Sequence, residues 1–147
     1  IITIDRRMTF GEDRKQVFNQ VKNLIPDRSK DKIFIRELFY DEPSYTGYSY
    51  PVEKYFPAWL MPDDHPLCVA GQRTREIMGL SYTDTGKWDF STNGIYWAGK
   101  AGIPSIGYGP GDETTAHTVN DSVLLDDVVK ATGFYALLPS MIIDKDK

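Results

Sequence analysis

The sequence has a single cysteine, two histidines and no long hydrophobic run. Cys68 alone cannot form a disulfide within the chain, so nothing points to an oxidising compartment, and we expect a reduced, cytoplasmic setting. No apolar stretch approaches the roughly 20 residues that a membrane-spanning helix needs. The sequence therefore predicts a cytoplasmic protein with no membrane partner.

The sequence also lacks an excess of positive charge. Its 17 lysines and arginines are outnumbered by 21 aspartates and glutamates, for a formal net charge of −4. Affinity for nucleic acid depends on clustered lysine and arginine that displace counterions, whereas the charged runs 27–32 and 144–147 mix both signs. We therefore expect no nucleic-acid partner. What the chain does have is core material, since 41% of its residues are hydrophobic and 13% are aromatic, as in ordinary globular proteins.

The first 39 residues have the pattern of a β-α-β unit. Residues 1–8 alternate between apolar and polar, as in a half-buried strand. Thr9 and Glu12 have the spacing of a capping box, a helical apolar face follows, and Pro26 closes it. Alternation resumes in residues 32–39, so we expect a right-handed crossover between two strands. Because the first residue is isoleucine and alternation begins at once, we also expect the chain to start inside a structural element.

Prolines and aromatic residues crowd the next part of the chain. Residues 41–64 contain four prolines and six aromatic residues without stable periodicity, which is typical of a segment that crosses between two packed bodies. We therefore divide the chain into residues 1–42, a crossing segment 43–64, and residues 65–147.

The last part reads as alternating helices and short strands. Pro66 opens a helix that Gly79 ends. A short strand over residues 88–92, a helix over 93–100 and a buried strand over 103–108 are predicted next. The final helix is expected from about residue 124 to residue 143.

The two histidines differ in context. His65 lies at a helix start, where capping or surface exposure is the preferred interpretation. His117 follows a glycine-rich loop at the end of a predicted strand, where α/β proteins usually place ligands. Without co-ligands, one histidine remains a weak signal for a metal.

Two further features have both a structural and a functional interpretation. The loop 107–111 is either a simple turn or a stretch of bare backbone that offers N–H groups to an anion or oxyanion. Arg6 and Arg7 end the first predicted strand, where a guanidinium either binds a substrate carboxylate in bidentate fashion or is merely solvated or ion-paired. From the residues alone, the structural interpretation is favoured in both cases.

Several motifs together resemble a known enzyme family. Residues 4–12 (Ile-Asp-Arg-Arg-Met-Thr-x-Gly-Glu) are similar to a strand-to-helix junction in the lid, or dimerisation, domain of the zinc peptidase/deacylase family. That family includes acetylornithine deacetylase, succinyl-diaminopimelate desuccinylase and aminoacylase. Residues 102–111 with Ala-His-Thr-x-Asn at 116–120 resemble its closing segment. Residues 40–47, 50–59 and 90–94 resemble the subgroup linked to selenium metabolism.

The resemblance implies a fold and a site. The fold is α/β: the C-terminal half of a zinc-peptidase catalytic domain, plus the second, β-α-β half of an α+β lid domain. His117 matches a zinc ligand, and Arg7 matches the lid arginine that binds the substrate carboxylate. Gly109 and Gly111 match the substrate pocket. Asn93 stands near that pocket where many relatives have aspartate.

The resemblance also implies an activity. Family members bind two metal ions, with zinc, cobalt or manganese as candidates, and hydrolyse small amides or peptides with a free carboxylate. They dimerise through the lid. The other ligands and the general base lie in a region with no counterpart here, so we expect no catalytic residue in this chain and no activity from it alone. The alternative is a non-catalytic dimerisation or binding module that keeps the fold.

Overall fold

The computed structural model describes residues 1–80, 86–88 and 90–143. The chain divides into two compact units, Ile1–Trp59 and Leu60–Lys147. The division falls inside the segment 43–64 that the prolines and aromatic residues marked as a crossing. The three-part arrangement of domains stays a prediction.

Helix α1 of the first unit spans Arg14–Asn23, and its start differs from the prediction. Asp13 is the N-cap, and a reciprocal pair of hydrogen bonds joins it to Gln16 at 2.7 and 3.0 Å. Thr9 and Glu12 do form the expected contact, with the Thr9 N–H donating to the Glu12 carboxylate at 2.8 Å. That contact closes a turn ahead of the helix, because Gly11 adopts a positive φ of 91° that a continuing helix excludes.

The two long strands expected in this unit are absent, so the β-α-β prediction is wrong for residues 1–39. Residues 1–8 form no strand, Asp27–Lys32 is a 3₁₀ helix, and the pairing is confined to β1, Phe39–Tyr40, and β2, Val52–Glu53. These run antiparallel as a short hairpin. Alternation produces a strand only where a partner and a packed face are available, and no residue of this unit is buried.

Arg14 is the main polar link within the first unit. Its guanidinium bonds to Glu53 of β2 and lies 3.2 Å from the Glu37 carboxylate. It also lies 4.3 Å from the centre of the Tyr55 ring, in a cation–π contact. The hydrogen bond to Glu53, followed by the charges of both carboxylates, raises the pKa of Arg14. One side chain of α1 thereby connects the helix to the hairpin and to the segment after it.

Two helices build the second unit. Helix α2 spans Pro66–Ile77 and helix α3 spans Leu125–Ile143, as the sequence predicted. His65 is the N-cap of α2, with its Nδ1 accepting the Leu67 N–H at 3.1 Å. The structural interpretation of His65 is therefore confirmed.

Small residues of α2 let α3 approach closely. Ala70, Phe134 and Leu138 form the buried core cluster. Thr74 is fully buried, and its hydroxyl donates to the Ala70 carbonyl at 2.8 Å, so its one buried donor is satisfied. A Cβ on Gly71 would lie 3.0 Å from Ile106 and 3.8 Å from Phe134. These contacts make the α2–α3 pair the packed body on which the loops of this unit rest.

The short elements between α2 and α3 only partly match the prediction. Ile95–Lys100 is a single π-helical stretch within the predicted helix 93–100. Residues 103–108 and the described residues of 88–92 form no strand; Asp89 lies outside the described residues. Ile106 and Tyr108 instead pack against the core cluster, so the apolar run buries side chains without pairing its backbone. Among the residues described, no helix is both long and apolar enough to cross a membrane.

Candidate functional site

His117 occupies the third position of a tight turn. The Thr118 N–H donates to the Thr115 carbonyl at 3.1 Å, Ala116 has φ −57° and ψ 136°, and His117 has φ 63°. Those angles are typical of a type II turn, whose third position usually requires glycine or asparagine. His117 is the one residue other than glycine with a positive φ in the described part of the chain.

The surrounding loop holds this turn by local hydrogen bonds. Asp112 caps the 3₁₀ helix Glu113–Thr115, because its carboxylate accepts from both the N–H and the hydroxyl of Thr114, at 2.9 and 2.7 Å. These bonds lower the pKa of Asp112. The Thr118 hydroxyl then donates to the Thr115 carbonyl at 2.7 Å. An exposed imidazole is thus presented on a short, internally bonded loop.

The backbone of His117 is strained for its residue type. A left-handed conformation costs a residue with a Cβ about 1–2 kcal/mol, and such outliers cluster at functional sites. No pattern in the sequence signals this feature, since the glycine loop and the histidine are visible but the turn type is not. This conformation motivates a hypothesis of function for His117 that does not depend on the motif.

The glycine loop ahead of His117 rests on helix α3. The Tyr135 hydroxyl accepts the Tyr108 N–H at 3.4 Å and donates to the Tyr108 carbonyl at 2.5 Å. Gly109 faces open space, with no atom within 4 Å of where a Cβ would stand. Gly111 has a φ of 99°, a conformation that favours glycine. Sequence reasoning missed Tyr135, because a tyrosine on a helix face gives no sign of which loop it contacts.

Trp88 covers the other end of this loop. A Cβ on Gly107 would lie 2.0 Å from the Trp88 ring, far closer than atoms approach. The indole also stacks on Phe90, with ring centres 6.0 Å apart. Any side chain at residue 107 would therefore displace the Trp88 ring, a contact that the sequence does not reveal.

The remaining site predictions lie in different places. Asn93 is exposed, and its carbonyl accepts the N–H groups of Tyr96 and Trp97 at 3.0 and 3.3 Å, so its backbone starts the π-helical stretch. Asn93, Gly109, Gly111 and His117 belong to the second unit, whereas Arg7 belongs to the first. Their roles in substrate binding stay predictions.

The two candidate arginines differ in their contacts. Arg6 forms an ion pair with Glu12 at 2.5 Å and reaches Gln20 at 3.4 Å, as the ion-paired interpretation anticipates. The bond from the Thr9 backbone, and then the bond from Arg6, lower the pKa of Glu12. Arg7 is exposed, and its carbonyl accepts from the Arg6 guanidinium.

The described residues do not by themselves form a complete metal site. Within them, no group of three or more histidine, cysteine, aspartate or glutamate side chains is arranged to hold an ion. Catalytic zinc normally takes three protein ligands. His117 can supply one nitrogen, so the residues present fit one ligand of such a site and not the whole of it.

Comparison with known proteins gives partial relatives. The chain is 37% identical over 138 residues to "Uncharacterized protein YgeY" of Escherichia coli (strain K12), and equally to that of strain O157:H7; the match covers 94% of this chain and 34% of the relative. It is 29% identical over 135 residues to N-formyl-4-amino-5-aminomethyl-2-methylpyrimidine deformylase of Bacillus subtilis, covering 83% of this chain and 29% of that enzyme. No family model matches, and no solved structure matches.

These matches bear on the general class of reaction and not on a specific substrate. The chain spans about a third of the length of the curated relatives it matches. One distant relative is, by its name, a deformylase, which is an amidohydrolase-type enzyme. The similarity extends over most of the present chain.

Proposed function

We propose that this chain is the C-terminal part of a metal-dependent hydrolase of amide bonds, of the zinc peptidase/deacylase type, with His117 as one metal ligand. The observation that carries the proposal is the match of 83% of the chain to a deformylase. Removal of a formyl group from nitrogen is the cleavage of an amide bond, the reaction class that the motifs around His117 also imply.

Amide hydrolysis needs an activated water and a polarised carbonyl. Bound zinc supplies both, since it lowers the pKa of its water to about 7 and acts as a Lewis acid. The part of His117 is to donate an unprotonated ring nitrogen, so metal binding should weaken as the solution is acidified. The turn that follows the glycine loop in the chain holds that ring exposed.

The proposed site is shared with residues beyond those described. His117 offers one donor where about three are needed, and the relatives are about three times as long as the matched region. The further ligands and the general base are assigned to that additional polypeptide. The isolated chain of 147 residues is therefore expected to be inactive. The donor type suits zinc, and cobalt or manganese can share such ligands.

The proposed substrate is a small amide or short peptide with a free carboxylate, such as an N-acyl amino acid. Arg7 is proposed to bind the carboxylate, because a planar guanidinium matches it in bidentate fashion. Backbone N–H groups at Gly109 and Gly111 are proposed to contact the substrate amide, with Asn93 nearby. The whole protein is proposed to be a cytoplasmic homodimer joined through the lid domain.

A non-catalytic module is the second candidate. The observation that favours it is the lack of a three-residue metal cluster in the described part of the chain. Such a module would keep the fold for dimerisation or ligand binding without hydrolysis. The encoding reading frame discriminates, since an upstream His-x-Asp pair and a Glu-Glu pair favour the enzyme.

The test is to express the complete encoded polypeptide with zinc and assay it against N-formyl and N-acetyl amino acids. We expect turnover that His117→Ala lowers at least about 100-fold, in the range for loss of a group central to catalysis. His65→Asn is the matched control, because asparagine also caps helices and should leave turnover unchanged. An inactive zinc-loaded polypeptide, or full activity after His117→Ala, would overturn the proposal.

A further inference from the structure

We infer that Tyr135 is a positioning residue that fixes the direction of the Gly109 N–H, making that group the ligand-facing donor of the glycine loop. The consequence for substrate rests on the proposed function. The structural part rests on the bonds between helix α3 and the loop alone.

The Tyr135 hydroxyl forms hydrogen bonds with both the N–H and the C=O of Tyr108. The Tyr135 hydroxyl donates to the Tyr108 carbonyl at 2.5 Å and accepts the Tyr108 N–H at 3.4 Å. A tyrosine hydroxyl has one hydrogen to donate and lone pairs to accept, so both bonds can exist together. The Tyr108 N–H is thereby used within the protein.

Phe134, which precedes Tyr135 in helix α3, contacts the side chain of Tyr108. The Tyr108 ring stacks on Phe134 with centres 4.1 Å apart and planes 21° apart. Phe134 is 2% exposed and belongs to the core cluster of the α2–α3 pair. Phe134 also meets the Tyr135 ring edge to face at 5.4 Å. Consecutive residues of α3 thus fix the ring and the backbone of Tyr108.

Because the peptide bond is planar, fixing the Tyr108 carbonyl also fixes the N–H of Gly109. In a trans peptide the C=O of one residue and the N–H of the next point in opposite directions within one plane. No cis peptide bond occurs among the described residues. Because the Tyr108 carbonyl points at the Tyr135 hydroxyl, the Gly109 N–H points away from it. Gly109 is exposed, and no atom lies within 4 Å of where its Cβ would stand, so open space lies beside this donor.

The loop needs such an anchor because of its composition. Three of its five residues are glycine, and glycine retains more backbone freedom than any other residue. Donors stabilise a developing negative charge best when they are already oriented before reaction. The Tyr135 hydroxyl supplies the orientation from a packed helix, while Gly109 leaves room for the ligand.

The experiment compares Tyr135→Phe with Tyr96→Phe, which removes a hydroxyl elsewhere in the same unit. The first readout is amide hydrogen exchange of Tyr108, Gly109 and Gly111 in the 147-residue chain. We expect the Tyr108 amide to exchange about tenfold faster in Tyr135→Phe, since its hydrogen-bond acceptor is lost, and the exposed Gly109 amide to exchange fast in both proteins. Amides of α3 and the Tyr96→Phe protein should be unchanged.

The second readout is the kinetics of the complete encoded polypeptide on the N-formyl amino acid that it hydrolyses best. We expect Tyr135→Phe to lower kcat/KM about tenfold with unchanged zinc content and Tm, which a purely structural role would not do. Unchanged exchange at Tyr108 overturns the inference whatever the activity. Turnover by the wild type that Tyr135→Phe leaves within twofold also overturns it, while sparing the proposed function. Faster exchange at Tyr108 in Tyr135→Phe, with no turnover by the wild type, supports the positioning role of Tyr135 and contradicts the proposed function instead.

Discussion

The backbone of His117 offers a test that does not depend on metal or substrate. Its φ of 63° favours glycine over every residue with a Cβ. Glycine is ordinarily less stabilising than alanine, because it loses more conformational freedom on folding. At this position the order should reverse, since alanine retains the strain and glycine relieves it.

We therefore predict that His117→Gly is more stable than His117→Ala by about 1 kcal/mol. Both variants remove the imidazole, so each is the control for the other. The measurement is urea unfolding of the 147-residue chain. An alanine variant as stable as the glycine variant, or more so, would show that the turn carries no strain.

Cys68 gives a second prediction at the residue scale. Burial, and then the negative charges of Asp63 and Asp64, raise the pKa of the Cys68 thiol. A raised thiol pKa means less of the reactive thiolate at neutral pH, so iodoacetamide should label the folded protein slowly. Addition of urea should speed the labelling well beyond its effect on a free thiol. Equal labelling rates in native protein and in urea, measured by mass spectrometry, would contradict the burial of Cys68 in α2.

At the scale of elements, the start of helix α2 depends on one imidazole. The His65 Nδ1 accepts the Leu67 N–H, and loss of an N-cap typically costs about 1 kcal/mol. We predict that His65→Ala lowers the free energy of unfolding by about that amount, whereas His65→Asn retains the cap and stays near the wild type. Thermal unfolding of the three proteins checks this. Equal losses in both variants would assign the effect to something other than the cap.

The contact between Trp88 and Gly107 gives a second prediction at the scale of elements. A methyl group at residue 107 would overlap the indole, so Gly107→Ala should expel Trp88 and destabilise the chain by about 1–3 kcal/mol, as overpacking does. Trp88→Ala removes the obstacle. We therefore predict that Gly107→Ala has little effect in the Trp88→Ala background. Additive losses in the double variant, measured by urea unfolding, would argue against the contact.

The elements that the sequence predicted well are those with a strong local signal. Helices α2 and α3 have an apolar periodicity together with a start or stop signal, and both form where expected. Of the alternating segments 1–8 and 32–39, only Phe39 enters a strand, because a strand depends on a pairing partner that is distant in sequence. The N-cap of α1 is Asp13 and not Thr9, because a second pair at capping-box spacing, Asp13 and Gln16, directly follows the first and local pattern does not rank the two.

The sequence identifies the candidate residues of the site. It does not predict the contacts that hold them in place. The glycines and His117 stand out by composition and spacing. Their supports, the Tyr135 hydroxyl and the Trp88 ring, come from segments 27 and 19 residues away from the loop residues they contact. Such contacts are set by how α3 and the chain before the loop pack, which no local pattern encodes.

At the scale of the whole molecule, the described chain supplies only one of the ligands that the proposed metal site needs. The first unit has no buried residue, the second has one small core, and the described residues contain no three-residue metal cluster. The chain covers about a third of the length of the relatives that it matches. We expect the complete encoded polypeptide to bury the apolar residues that are exposed here and to supply the missing ligands.

The most direct measurement of the central claim is a crystal structure of the complete encoded polypeptide grown with zinc, with the ion located by its anomalous scattering. The account predicts a zinc ion about 2.0–2.1 Å from an imidazole nitrogen of His117, at the mouth of the glycine loop. A bound ion with the His117 ring turned away from it would contradict the account.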